Sequence, residues 1–160
     1  MNKNILIIII AIGVIIPVGV YAMSPLFINT TVDEALPTNQ NHQAEKAAMA
    51  EKAATTNSPS GTFTGGVHTV EGMAKVINLD DGSKILRLEN FKSTNGPDLF
   101  VYLSTDKSAS DFISLGSLKA NNGNQNYNIP SGTDLSKYHT VLIWCKSFSV
   151  LFGSSELSTQ

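Results

Sequence analysis

The fold turns on one continuous stretch: Met73-Ala74-Lys75-Val76-Ile77-Asn78-Leu79, then Asp80-Asp81-Gly82-Ser83, then Lys84-Ile85-Leu86-Arg87-Leu88-Glu89-Asn90-Phe91. Two apolar-rich runs flank a short polar break. Asp81-Gly82 inside that break is a strong signal for a β-hairpin, because glycine accepts the positive φ that a tight reversal demands. Outward from this hairpin, from Gly61 onward, the same texture repeats. Short apolar and aromatic runs are cut by Gly, Asn, Asp and Pro at spacings of about ten residues, and no helical period is sustained beyond two turns.

Toward the C-terminus, Gly96-Pro97 ends a loop and introduces Asp98–Ser104, where Leu99, Val101 and Leu103 alternate with Phe100 and Tyr102. Both faces of that run are apolar, which predicts a strand with neighbours on either side. Ile113–Lys119 follows, then a turn through Asn121-Asn122-Gly123, then Gln125–Ile129 ending at Pro130, His139–Lys146 and Phe148–Phe152. The expectation is an all-β domain over 61–160, an antiparallel β-sandwich or small barrel of about seven or eight strands.

The N-terminus has a different composition. Ile5 to Ile28 contains no charged residue, follows Lys3, and is longer than the roughly 20 residues that span a bilayer's hydrocarbon. Residues 1–28 are therefore expected to form a transmembrane anchor, in which Pro17 is tolerated, or alternatively a signal peptide cleaved after Val20-Tyr21-Ala22. Either reading places the remainder on the extracytoplasmic side: at the cell membrane as a single-pass protein, or secreted. Residues 29–60, rich in Ala, Thr, Asn, Gln and Pro, bury too little to offset their ordering entropy and are expected to be a linker. The repeat at Ala44–Ala48 and Ala50–Ala54 has the composition of a helical spacer and lacks the heptad hydrophobes of a coiled coil. Asn29-Thr30-Thr31 forms an N-glycosylation sequon.

Eleven basic and thirteen acidic residues give a net charge of −2, with no basic field able to neutralise phosphates, so no nucleic-acid partner is expected. The single cysteine, Cys145, excludes an intramolecular disulfide framework and every paired-cysteine metal motif. In an extended strand Cys145 shares a face with His139, Val141 and Ile143, while Trp144 and Lys146 face the other way. His139 then stands roughly 20 Å away, too far to activate the thiol. Cys145 reads either as a small buried hydrophobe or as a redox thiol or ligand.

No His or Met follows Cys145, so the compact ligand loop of a blue-copper centre is missing. The Cys-x-x-Cys-His of a c-type haem is missing as well. A haem held without covalent attachment needs only one or two axial ligands, for which Cys145, His68 and Met73 are candidates. There is no Gly-x-Ser-x-Gly elbow, and Asp98, Asp106 and Asp111 lack the spacing of a calcium loop. His68, after Gly65-Gly66-Val67, is either a half-buried loop histidine or a ligand or redox neighbour of Cys145.

From Gly61 to Leu157 the chain resembles the DM-thirteen, or electron-transfer DM, domain family. The resemblance is carried by Gly61-Thr62-Phe63, His68 with Gly72 and Ala74, Leu86-Arg87-Leu88-Glu89-Asn90-Phe91, and Gly96-Pro97-Asp98-Leu99 with Tyr102-Leu103. It continues through Leu115-Gly116, Leu118-Lys119, Tyr127, Ile129-Pro130, Ile143-Trp144-Cys145, Phe148 and Phe152-Gly153. Ser155 departs from the pattern, standing where a small Ala is more usual. The resemblance implies an all-β, exported electron-transfer or redox module in which Cys145 is a redox thiol or haem ligand, served by a redox partner protein. The other reading is a non-catalytic cell-surface binding module presenting the polar loops around Asn95-Gly96, Asn121–Asn126 and Ser131–Ser136.

Overall fold

The structure, a computed structural model, describes residues 29–37, 58–66 and 68–159. The expected anchor or signal over 1–28 and the repeat at Ala44–Ala48 and Ala50–Ala54 lie outside the described residues. Among the described residues no helix is long and apolar enough to cross a membrane.

Ten strands form: β1 (Thr31–Asp33), β2 (Ser60–Thr62), β3 (Thr64–Gly65), β4 (Val70–Asn78), β5 (Lys84–Ser93), β6 (Leu99–Ser104), β7 (Phe112–Ser117), β8 (Asn122–Ile129), β9 (Thr140–Cys145) and β10 (Val150–Glu156). They make two five-stranded sheets, β1-β8-β5-β4-β2 and β3-β10-β9-β6-β7. The sheets pack face to face over one apolar core. Leu86, Leu88 and Phe91 of the first sheet and Val101, Leu103, Val141 and Ile143 of the second are all fully buried. Neither sheet closes on itself, so the barrel alternative does not hold.

The expected count of about seven or eight strands corresponds to β4 through β10. The further three are only two or three residues long, too short for alternation to be read from sequence. The hairpin forms where Asp81-Gly82 points: Gly82 takes φ +81°, its N–H donates to Leu79 O at 3.0 Å, and Asp81 Oδ1 accepts from the Ser83 N–H at 2.9 Å. β6 lies between β9 and β7, as its two apolar faces require.

Two expectations are corrected. Asn122-Gly123 does not form a turn but opens β8, paired with Lys92 and Phe91. The stretch 29–60, expected to be a linker, starts with a strand: β1 lies parallel to β8, with Thr31 opposite Asn122 and Asp33 opposite Asn124, the one parallel pairing among these strands. Polar side chains hold it there. Asn122 Nδ2 donates to Thr31 Oγ1 at 3.2 Å and Asn124 Nδ2 to Asp33 Oδ1 at 2.7 Å. Beyond β1, Arg87, only 6% exposed, donates from Nη1 to the Glu34 carbonyl at 3.1 Å and to Asn126 Oδ1 at 2.9 Å.

Ser155 is 1% exposed, and its hydroxyl has no hydrogen-bond partner among the described residues. A buried unpaired hydroxyl costs stability, whereas a methyl in the same space does not. Ser155→Ala is therefore expected to stabilise the domain by about 1 kcal/mol in a urea titration; a loss of similar size would mean the hydroxyl is satisfied.

Candidate functional site

Alternation along β9 turns Val141, Ile143 and Cys145 toward the core and sends Trp144 to the outer face. Cys145 closes the strand, opposite Leu99 of β6 and Val150 of β10, and is 1% exposed. Its Sγ–H donates to the carbonyl of Pro97 at 3.0 Å. The next two residues grip the same loop. The Lys146 N–H donates to Asp98 O at 3.1 Å, and Ser147 Oγ donates to Asp98 Oδ2 at 2.9 Å. Asp98 sits at φ +57°, a left-handed conformation costly for a residue with a side chain, and these bonds help to hold it.

Gly96 lies directly against Phe152. A Cβ added at Gly96 would stand 2.5 Å from Phe152 Cζ and 3.2 Å from Leu99 Cδ2, so only glycine lets the loop come this close. Phe152 is the extra residue of a bulge between Leu151 and Gly153, and this turns its ring into the core, where it is 4% exposed. His68 stacks on that ring at 3.7 Å between centroids and 12° between planes. The loop bearing His68 is fixed by Gly66 N–H to Phe152 O at 3.2 Å and joined to the Pro97 loop by Thr94 N–H to Thr69 O at 3.1 Å.

Cys145 and His68 thus occupy the same end of the molecule and share a structural partner, with Phe152 against His68 and against the loop that covers the thiol. The expected chemistry of the pair is not assembled: the thiol bonds to a backbone carbonyl and the imidazole rests on a phenyl ring. His139 is at the other end of β9, its Nδ1 3.2 Å from Lys137 O. Met73 is on the outer side of β4 and 37% exposed, whereas its neighbours Ala74 and Val76 turn inward. Lys146 Nζ lies 5.2 Å from the centre of the Phe100 ring on the outer face.

Among the described residues no three His, Cys, Asp or Glu side chains converge as a metal site. Nor do the candidate ligands fit a haem. Cys145 Sγ is directed at Pro97 O inside a packed core, the His68 ring lies flat on Phe152, and Met73 faces away from both. Ligation by any two of them would require dismantling the end of the sandwich.

The profile described as Electron transfer DM13 matches residues 62–157, from β2 to just past the end of β10. The chain belongs to the electron transfer DM13 family. No curated protein matches it, and no solved structure does. The match encloses every element that builds the covered thiol of this DM13 domain: the His68 loop, the Gly96-Pro97-Asp98 loop, Cys145 and Phe152. It begins after β1. Sequence reasoning singled out Cys145 and His68 but passed over Pro97 as the group on the sulfur, because 48 residues separate the two and only sheet pairing brings them together.

Proposed function

We propose that this DM13 protein is a membrane-tethered, extracytoplasmic redox domain in which Cys145 is the reacting group, kept closed by the Gly96-Pro97-Asp98 loop. One observation carries the reading: the only cysteine of the chain is capped by a backbone carbonyl of a short loop at the end of the sandwich. A thiol so placed becomes available when one loop lifts, with both sheets intact. The reaction open to a single cysteine is exchange with the disulfide of a redox partner. Cys145 loses its proton to water, the thiolate attacks one partner sulfur, the partner's S–S bond breaks, and the departing sulfur leaves as a thiolate and takes up a proton. Membrane attachment rests on the uncharged run Ile5–Ile28.

The 1% exposure of Cys145 also favours a second reading, a binding module whose cysteine is only core. Alkylation kinetics separate the two. With a maleimide or glutathione disulfide, the folded protein is expected to react roughly a thousandfold more slowly than the unfolded chain, corresponding to an opening free energy of about 4 kcal/mol. That rate should stay nearly flat in low urea, the mark of a local opening. A rate that follows global unfolding at every urea concentration would overturn the redox reading and leave Cys145 as core, and Cys145→Ser defines the background.

A further inference from the structure

The order of the strands fixes which end of the sandwich the N-terminal run enters. Ile28, the last residue of the apolar run Ile5–Ile28, is three residue steps from Thr31, a reach of at most about 11 Å. β1 is bound to the edge of β8, so no long tether intervenes between that run and the sheet. Because β1 runs parallel to β8, the chain enters where β8 begins. Asn29 Oδ1 accepts there from Asn121 Nδ2 at 2.9 Å and from Asn95 Nδ2 at 3.1 Å. Asn95 leads into the loop that Ser147 and Lys146 grip through Asp98. The β9–β10 turn, Lys146 to Ser149, therefore stands at the same end as the entry point.

That turn carries Phe148, 68% exposed and the most exposed of the large apolar side chains among the described residues, with Val150 beside it at 37%. A phenyl ring on a tight turn, flanked by Ser147 and Ser149 and next to the exposed Lys146, is suited to the boundary between headgroups and acyl chains. Among the described residues the far end has no apolar side chain so exposed. Its turns and loops hold Asp80, Asp81, Asp106, Asp111 and Asp134 against Lys107 and Lys137, of which Lys137 is paired with Asp111, so acidic groups outnumber basic ones there.

We infer that the end of the domain bearing Asn29, the Pro97 loop and Phe148 rests on the lipid bilayer, with the Phe148 turn inserted at its interface, so that the cover of Cys145 faces the membrane. This orientation rests on the tethered reading above.

The test uses the full chain reconstituted into phosphatidylcholine vesicles with brominated acyl chains, with Trp144, the only tryptophan, changed to Phe. A Phe148→Trp reporter in that background is expected to shift to shorter wavelength and be quenched by the brominated lipid. A Ser131→Trp reporter at the far end should be unaffected. Hydrogen exchange on the unmodified chain provides a check that needs no substitution: bilayers should protect residues 147–150 more than 131–133. Protein that floats with vesicles but shows no lipid quenching or added protection at Phe148 overturns the orientation and leaves the tether standing. A blue shift without lipid quenching means protein, including a second copy, covers the turn, and also overturns it. Protein that fails to float overturns tether and orientation together.

Discussion

Phe152→Ala is expected to destabilise the domain by about 3–5 kcal/mol and, in the same protein, to speed alkylation of Cys145 in the folded state. The first effect follows from burial. The ring is 4% exposed and belongs to the core common to both sheets, and removing it leaves a cavity that a bulged strand cannot easily fill. The second follows from what the ring touches. His68 rests on one face, Gly96 meets its edge, and Pro97, the next residue, supplies the carbonyl over the sulfur. A control for general destabilisation is Leu103→Ala, a fully buried side chain of β6, at a cost of about 2–5 kcal/mol. If the cover is local, Phe152→Ala exposes the thiol at urea concentrations where Leu103→Ala does not. Equal thiol reactivity in two variants of equal stability would show that Phe152 contributes only bulk to the core.

Much of the sandwich was legible because its strands obey local rules. Asp81-Gly82 marked a hairpin that forms, and the two apolar faces of Leu99–Ser104 marked a strand with neighbours on both sides. Failures occurred where tertiary contacts override local chemistry. Asn122-Gly123 has the composition of a turn, yet Gly123 uses its positive φ of 103° inside a strand, paired with Phe91 beside the bulge that β5 makes between Leu88 and Phe91. The last strand was expected over Phe148–Phe152 and runs Val150–Glu156 instead, because Ser154 and Ser155 are buried by pairing with β9 although their side chains read as loop. β1 has no hydrophobic signature at all. Its partners are the Asn side chains of β8, about ninety residues on, and no periodicity within Thr31–Asp33 encodes them. For the site, Cys145 was identifiable as the one cysteine; its cover and the role of Phe152 depend on the crossing of two loops.

Gly123→Ala is expected to detach β1 from the sheet and cost about 2–3 kcal/mol. A Cβ at this position would lie 1.9 Å from the Val32 carbonyl oxygen, and the φ of +103° disfavours any side chain in addition. The obstacle is backbone, so no rotamer change relieves it and β1 must move. Its departure would leave Arg87 without the carbonyls of Glu34 and Ala35, and would separate Glu34 from Lys119 Nζ at 2.7 Å and from the Asn126 N–H at 2.6 Å. Loss of amide protection over residues 31–34 is the direct measurement.

The pH dependence supplies an independent one. Partial burial raises the Glu34 pKa, but the hydrogen bonds from Lys119 and Asn126 and the positive charges of Lys119 and Arg87 outweigh it and hold it below the ordinary 4.5. A carboxylate with a lowered folded pKa contributes stability that is complete above its unfolded value and disappears as pH falls through the folded value. The parent protein should therefore lose β1 protection as pH drops below about 4.5. Gly123→Ala, with Glu34 already released, should lack that component of acid sensitivity. Acid profiles that run parallel in the two proteins, or β1 amides that stay protected in Gly123→Ala, would show that Glu34 and Gly123 do not act on the same clamp.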